Sequence, residues 1–310
     1  MSEIERLAAA LLAEGLGTRL LRDEPMARHT SFAIGGPADL LVVAKTPEEL
    51  VRWRALAREH AAPCVVIGGG TNILVADRGI RGLVIVNGCH RWRIEADGLL
   101  VAESGVRFWD LARGAVAQGW GGLEWAVGVP GSLGGAVVGN AGAYGGSLSD
   151  ILQWVDVASL EGEVRRLGVA TLDYGYRTSA LKRVAETAQR PIVLRAALQL
   201  CTADGAELAA RAAEFTRQRL ERTPAGCCAG SIFKKTLQYP AGFLIEQAGL
   251  KGARIGGAII SPKHANFIMN EGGATAADVR ALLEQVQRAV QSTFGQRLEP
   301  EIEFLGEWEV

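Results

Sequence analysis

The chain has 310 residues, 48% of them hydrophobic and 22% charged, with 33 Lys and Arg against 34 Asp and Glu for a formal net charge of -1. That is enough chain for two or three domains with sizeable cores, and the composition is that of an ordered globular protein. The balanced charge supplies no global field to hold nucleic acid or an anionic membrane, although it does not speak against a local basic pocket.

In chain order, Ile4, Leu7 and Leu11 mark one face of an amphipathic helix over residues 3–14. Residues 39–44 read as a strand. Thr46-Pro47-Glu48-Glu49 is a capping box with proline at the first helical position, which predicts a helix to about His60. Residues 64–67 read as a buried strand closed by Gly68-Gly69-Gly70, and 83–86 as another, so this first stretch is βαβ-like. Residues 91–95 and 99–103 flank Ala96-Asp97-Gly98 as a hairpin. A helix over 106–118 follows, then a tract with eleven glycines between Gly119 and Gly146. Residues 153–160 and 164–167, around Glu161-Gly162, form a second hairpin. Ile192, Leu194, Ala196, Leu198 and Leu200 alternate as in a strand. Beyond Cys201 the pattern turns helical: 207–221, a short helix over 241–248, and a long helix capped by Thr275 and running to about Phe294. Short strands are expected at 258–260, 266–269 and 301–304. The chain reads as an α+β protein with two nucleotide-binding subdomains and a third domain beginning near Asp204.

The five cysteines (Cys64, Cys89, Cys201, Cys227, Cys228) are odd in number and show no C-x-x-C or C-x-x-H spacing. This disfavours a disulfide framework and a structural zinc site, and mostly buried, reduced thiols in a cytoplasmic protein are expected. The opening residues Met1-Ser2-Glu3-Ile4-Glu5 carry no basic stretch, and the apolar run over 7–13 is too short to span a bilayer. Secretion and membrane anchoring are therefore not expected. No G-x-G-x-x-G follows a strand, and no G-x-x-x-x-G-K-[ST], H-E-x-x-H or G-x-S-x-G occurs. The four histidines (His29, His60, His90, His264) are too scattered for a metal cluster, so no metal site is expected.

Two glycine tracts remain. Gly68-Gly69-Gly70-Thr71-Asn72 follows a strand directly, where backbone N–H groups can turn toward one point, as a pyrophosphate needs; a tight turn without ligand is the bland alternative. Gly128-Val129-Pro130-Gly131-Ser132-Leu133-Gly134-Gly135, continued by Gly139-Asn140-Ala141-Gly142-Ala143-Tyr144, permits close approach of a flat or extended ligand, or is a bend between strands. Two such tracts in one chain favour a bound dinucleotide. Tyr174-Gly175-Tyr176-Arg177-Thr178-Ser179 sets an arginine beside tyrosines, which is equally the pattern of a surface ion pair. Gly230-Ser231-Ile232-Phe233-Lys234-Lys235 is a turn with one hydroxyl and two cations. Ser261-Pro262-Lys263-His264-Ala265-Asn266-Phe267 gathers polar groups before an apolar strand, and Glu301 stands where the last strand begins.

In this order, together with His29-Thr30-Ser31-Phe32-Ala33-Ile34-Gly35-Gly36-Pro37-Ala38 and the run from Ala241 to Gly252, these motifs resemble the UDP-N-acetylenolpyruvoylglucosamine reductase family over roughly residues 28 to 306. The resemblance implies an FAD-binding fold of the vanillyl-alcohol-oxidase (PCMH) type in two subdomains, 1–88 and 89–203, plus a C-terminal α+β substrate domain over 204–299. The last strand, within 300–310, would return to the first subdomain. It implies NADPH- and FAD-dependent reduction of UDP-N-acetylglucosamine enolpyruvate to UDP-N-acetylmuramate, a cytoplasmic step of peptidoglycan precursor synthesis. The partner would be a small-molecule UDP-sugar, with neither nucleic acid nor membrane, and the enzyme a monomer or weak oligomer. Only residues 180–190 separate Ser179 from the next strand, which matches the family's shorter form, without an inserted tyrosine loop.

By the same resemblance Arg177 stabilises the charge that develops when hydride reaches the enolpyruvyl group, Glu301 works with it, and Ser231 gives the proton to C2. FAD would lie on Gly68, Gly69, Gly70, Thr71, Asn72, Gly128, Pro130, Gly131, Ser132, Gly134, Gly135, Asn140, Ala141 and Gly142. The substrate would meet Tyr176, Lys234, Lys235, Lys263, His264 and Asn266. Lys235 departs from the asparagine usual at that position, putting a cation where the substrate diphosphate is expected. A different oxidoreductase on the same fold, or a non-catalytic flavin-binding module, are the competing readings. Against them, Arg177, Ser231 and Glu301 all match one chemistry.

Overall fold

Local signals set the helices. In the computed structural model, which describes residues 2–308, Ser2 caps Glu3–Ala13 by accepting from the Glu5 N–H, and Leu7, Ala8 and Leu11 form its buried face. Thr46 Oγ accepts from the Glu49 N–H and Pro47 opens the helix Pro47–Glu59. Thr275 and Asp278 cap Ala276–Phe294 reciprocally, and Gly295 ends it with a φ of 66°, a left-handed conformation that suits glycine. The chain divides into two compact units: residues 1–22, 40–69 and 82–219 form one, and 23–39, 70–81 and 220–310 the other.

In the first unit a five-stranded antiparallel sheet runs in the order Val164–Gly168, Leu152–Ala158, Ile192–Gln199, Leu99–Glu103, Trp92–Ile94. Both expected hairpins are present in it. Cys64–Ile67 pairs in parallel with residues 83–86.

The alternation over 192–200 does not give one inward face. Asp156 stands opposite Arg195 and Val157 opposite Val193, so Leu194 is an extra residue in the ladder. A bulge of this kind flips the side-chain phase. Ile192 and Leu194 accordingly join the cluster of Leu40, Leu50, Trp53 and Ile85. Val193, Ala196 and Leu198 join the cluster of Phe108, Leu111, Leu133 and Val155. The strand is buried on both faces and links two cores.

Arg54, only 5% exposed, fixes the helix Pro47–Glu59 over this strand region. Its guanidinium donates to the carbonyls of Arg190 (2.9 Å), Ala158 (2.8 Å) and Ser159. Burial lowers its pKa from the ordinary arginine value, and three accepting carbonyls hold the charge in place.

In the second unit Arg254–Ile255, Ala258–Ile260 and Ile268–Asn270 form an antiparallel sheet. Val279, Leu282, Leu283 and Val286 of the long helix pack into one core with Phe32, Leu74, Phe233 and Leu244. Glu303–Leu305 pairs in parallel with Ile73–Val75. The Asp77 carboxylate adds a second cap to the long helix, accepting from the N–H groups of Ala276 (2.8 Å) and Ala277 (2.9 Å).

The cysteines depart from expectation. Cys89 is buried, Cys64 and Cys228 are half-buried, and Cys201 and Cys227 are exposed. Burial pushes the thiols of Cys64 and Cys89 up to about 12, which leaves them unreactive. Among the described residues no helix is long and apolar enough to cross a membrane, and no group of three or more His, Cys, Asp or Glu is placed to hold a metal ion.

Arg54→Met is expected to lower the unfolding free energy by about 2–3 kcal/mol, because buried carbonyls lose their donor. Chemical denaturation of the variant against the native protein measures this, and a loss below about 0.5 kcal/mol, the size of an ordinary surface substitution, contradicts the assigned role.

Candidate functional site

The two glycine tracts meet within the first unit. A Cβ on Gly68 would come within 2.2 Å of the Ser132 Oγ, so the head of the first tract lies directly on the second. Ser132 is itself committed: its Oγ caps the short helix Leu133–Gly139 by accepting from the Gly135 N–H at 3.3 Å. This helix was not foreseen inside the glycine-rich stretch, although Ser132 as N-cap and the i, i+3, i+4 spacing of Leu133, Ala136 and Val137 were available signals. Residues 131–134 are laced to 104–108 by bonds from Phe108 N to Gly131 O (2.9 Å), Leu133 N to Val106 O (2.9 Å) and Gly134 N to Ser104 O (2.7 Å). Behind them the Asn87 side chain donates to the buried Ser104 Oγ at 2.8 Å, a support that sequence reading missed.

Asn140 takes a left-handed φ of 45° at the helix end. Its carboxamide donates to Gly175 O at 3.2 Å and accepts from Ser149 N–H at 3.1 Å. Tyr174 Oη donates to Val137 O (3.0 Å) and Ser179 Oγ to Val138 O (2.7 Å). Burial raises the Tyr174 phenol above its ordinary range, so it stays a protonated donor. Residues 174–179 are thus clamped to 137–142. Arg177 sits inside this clamp with a φ of 56°, and its Nη2 donates to Gly142 O at 2.9 Å. A left-handed non-glycine residue costs energy and persists where its surroundings fix it; the bridge between Gly175 and Thr178 does so here. Tyr176 is half exposed, with the Arg177 guanidinium 5.5 Å from its ring centre.

A second group of candidate residues gathers within the second unit. Ile232 N donates to Asn266 O (2.9 Å), and Ile232 O accepts from Glu301 N (2.8 Å). Lys234 N donates to Glu299 O (2.9 Å). The backbone at Ile232 is therefore bonded directly to that of Glu301, next to an isolated bridge between Phe233 and Pro300. Asn72 Nδ2 donates to Glu301 O at 3.1 Å, and Asn72 O accepts from Glu303 N at 2.9 Å. The Lys234 ammonium pairs with Glu299, and Lys263 Nζ donates to Leu220 O at 2.6 Å. Lys235 is exposed. Gly70, with a φ of 62°, leaves no room for a side chain: a Cβ would meet His29 O at 2.0 Å. Its own carbonyl accepts from Ser31 N–H, and Ser31 Oγ donates to Cys228 O at 2.7 Å. That stacking accounts for the His29-Thr30-Ser31 motif.

His264 Nδ1 accepts from the Asn266 N–H at 3.1 Å, which places any proton of the neutral ring on Nε2. Its pKa is lowered, first by burial and further by Lys251, with Glu246 opposing.

Gly68 and Ser132 bring the heads of the two tracts together on a surface of small residues, with no room for a side chain at Gly68. The fold is that of a flavoprotein: residues 38–168 match the FAD binding domain. Residues 221–305 match the UDP-N-acetylenolpyruvoylglucosamine reductase C-terminal domain. The chain is 42% identical to the UDP-N-acetylenolpyruvoylglucosamine reductase of Chloroflexus aurantiacus, over 94% of this chain and 99% of that one. It is also 42% identical to that of Geobacillus kaustophilus, over 96% of each. The crystal structure of UDP-N-acetylenolpyruvylglucosamine reductase from Thermus caldophilus superposes with a TM-score of 0.79 at 36% identity, covering 93% of this chain and 99% of that chain. The chain belongs to the UDP-N-acetylenolpyruvoylglucosamine reductase family.

Gly68→Ala should lose flavin, because the added methyl displaces Ser132 from its cap, whereas Gly139→Ala, where a Cβ meets nothing within 4 Å, should keep it. Flavin content after desalting compares the two, and equal retention would count against the surface at Gly68. For His264 the sign follows from its lowered pKa. The unfolded chain takes a proton near the ordinary value of about 6.5 while the folded ring refuses it. Stability is complete above that pH, falls as pH drops toward the folded value, and stops falling below it. Denaturation midpoints across this range should slope less in His264→Gln, and an unchanged slope assigns the pH dependence elsewhere.

Proposed function

We propose that this chain reduces UDP-N-acetylglucosamine enolpyruvate to UDP-N-acetylmuramate in the cytoplasm, as a monomer or weak oligomer, with NADPH as reductant. In this reading residues 1–88 and 89–203 serve FAD and residues 204–299 serve the UDP-sugar. FAD would supply the two-electron carrier between NADPH and C3 of the enolpyruvyl group. Gly68 to Asn72 and the tract from Gly128 to Gly142 hold it, chiefly through backbone groups. The side chains of Asn72 and Asn140 are already engaged with Glu301 O and with Gly175 and Ser149, so their part is to shape the backbone around the cofactor.

Hydride arrival at C3 leaves charge at C2 and on the neighbouring carboxylate. Arg177, fixed by Gly142 O, meets that charge as a preorganised cation. Ser231 gives its proton to C2, and the Glu301 carboxyl group works on the same intermediate. Tyr176, Lys234, Lys235, Lys263 and His264 line the route of the UDP-sugar, with Lys235, exposed and cationic, facing the diphosphate. The observation that supports this reading is the pair of backbone bonds at Ile232, from its N–H to Asn266 O and to its carbonyl from Glu301 N, next in the chain to Ser231.

Rapid mixing of the flavin-loaded protein separates reduction by NADPH from reoxidation by the enolpyruvyl UDP-sugar. Ser231→Ala should slow reoxidation by roughly 10²–10⁴-fold, the range for a positioned acid, and leave reduction by NADPH unchanged, with Ser231→Cys keeping part of the rate. Reoxidation of Ser231→Ala at the native rate removes Ser231 from the reaction.

A further inference from the structure

The Asn266 side chain is 7% exposed, and both of its polar atoms are engaged with one residue. Its Oδ1 accepts from the Phe233 N–H at 3.0 Å and its Nδ2 donates to the Phe233 carbonyl at 2.9 Å. The carboxamide thus reproduces the pairing a neighbouring strand would offer. It is needed because the backbone of residues 264–267 turns away after the bond from Ile232 N to Asn266 O: Phe267 N bonds back to His264 O at 3.0 Å. An amide is the one side-chain group of this length that both accepts and donates in the required order.

The segment beginning at Ser231 is consequently fixed on both edges. On one side stand Asn266 O and its carboxamide; on the other, Glu301 N and Glu299 O. Gly230 enters with a φ of 75°. With the backbone pinned on either side, rotation of the hydroxyl about its own side-chain bond is the main freedom left to Ser231. His264 extends the support, because its Nδ1 takes the Asn266 N–H.

We propose that Asn266 is a positioning residue for the Ser231 hydroxyl, acting through the Phe233 peptide and not by touching the UDP-sugar. This rests on Ser231 being the proton donor. It gives Asn266 a different task from the substrate contact that the sequence suggested, since a nearly buried amide with both atoms bonded to backbone has little left to offer a ligand.

The test uses the flavin-loaded full chain. Asn266→Asp keeps the acceptor for the Phe233 N–H but sets an oxygen against the Phe233 carbonyl. Reoxidation by the enolpyruvyl UDP-sugar should slow by about 10²-fold, the effect of misplacing a reacting group by around an ångström. Reduction by NADPH and the KM for the sugar should stay within about twofold. The solvent deuterium isotope effect on reoxidation should rise, since transfer from a misplaced donor becomes more limiting. Amide hydrogen exchange over residues 231–234 should accelerate, in the flavin-free protein as well. In a Ser231→Ala background, Asn266→Asp should slow reoxidation no further. Asn266→Ser gives the same readouts should the aspartate variant not fold.

Equal slowing of both half-reactions, a rise in KM alone, or further slowing in the Ser231→Ala background each overturns the proposal. Native-rate reoxidation in Ser231→Ala with Asn266 intact overturns the proton-donor reading and this inference with it. It is told apart from failure at Asn266, where Ser231→Ala is slow and Asn266→Asp is fast.

Discussion

The backbone bonding at Ile232 is the constraint on which the arrangement of the second unit's candidate residues depends. The Ile232 N–H is bonded to Asn266 O and the Ile232 carbonyl to the N–H of Glu301, so two successive peptide groups tie together three segments distant in sequence. These bonds fix the backbone next to Ser231 against the backbone at Glu301, at little added entropic cost once the core has formed. That core is close at hand: Ile232 and Phe233 are each 1% exposed and pack with Leu282, Val286 and Leu298. Register here is set by burial as much as by hydrogen bonds, because a slip of one residue would turn Phe233 out to solvent.

The first unit solves a comparable problem with different means. The small residues of the second glycine tract leave its backbone bare, and backbone without side chains is intrinsically mobile. Rigidity is supplied from behind. Residues 104–108 bind one end of the second glycine tract, and the hydroxyls of Tyr174 and Ser179 bind the other. Arg177 is held by the same clamp, and its left-handed backbone is tolerated because Asn140 and Thr178 fix the residues around it. The asparagines of both units have a common use. Asn72, Asn140 and Asn266 each bond to a backbone group of a neighbouring segment, which makes them braces for the chain where ligand contacts were the simpler expectation.

Membership of the reductase family rests on an ordered set of motifs, and the structure gives several of them a mechanical meaning. Gly70 is a glycine because His29 O occupies the place of its side chain. Ser31 bridges toward Cys228 O, just ahead of Gly230 and Ser231. Lys263, in a polar run that reads as a binding loop, reaches the Leu220 carbonyl at the end of the helix Gly205–Arg222, where a cation is favoured by the exposed carbonyls.

What the sequence determined by itself was local. The helix caps at Thr46 and Thr275, the hairpin turns at Asp97-Gly98 and Glu161-Gly162, and the helix periodicities all act within about four residues, and each is legible because its partners are neighbours in the chain. The motif order was legible too, and with it the α+β class and the flavin chemistry. Tertiary structure alone decided the rest. The bulge at Leu194 arises from pairing with residues 156 and 157, and it sends a regular alternation into two cores. The bond from Asn72 to Glu301 joins residues 229 apart, and that from Phe233 to Asn266 joins residues 33 apart. An asparagine presents the same donor and acceptor to a ligand as to a peptide; which of them it meets depends on what the fold brings within 3 Å, and no local pattern carries that information.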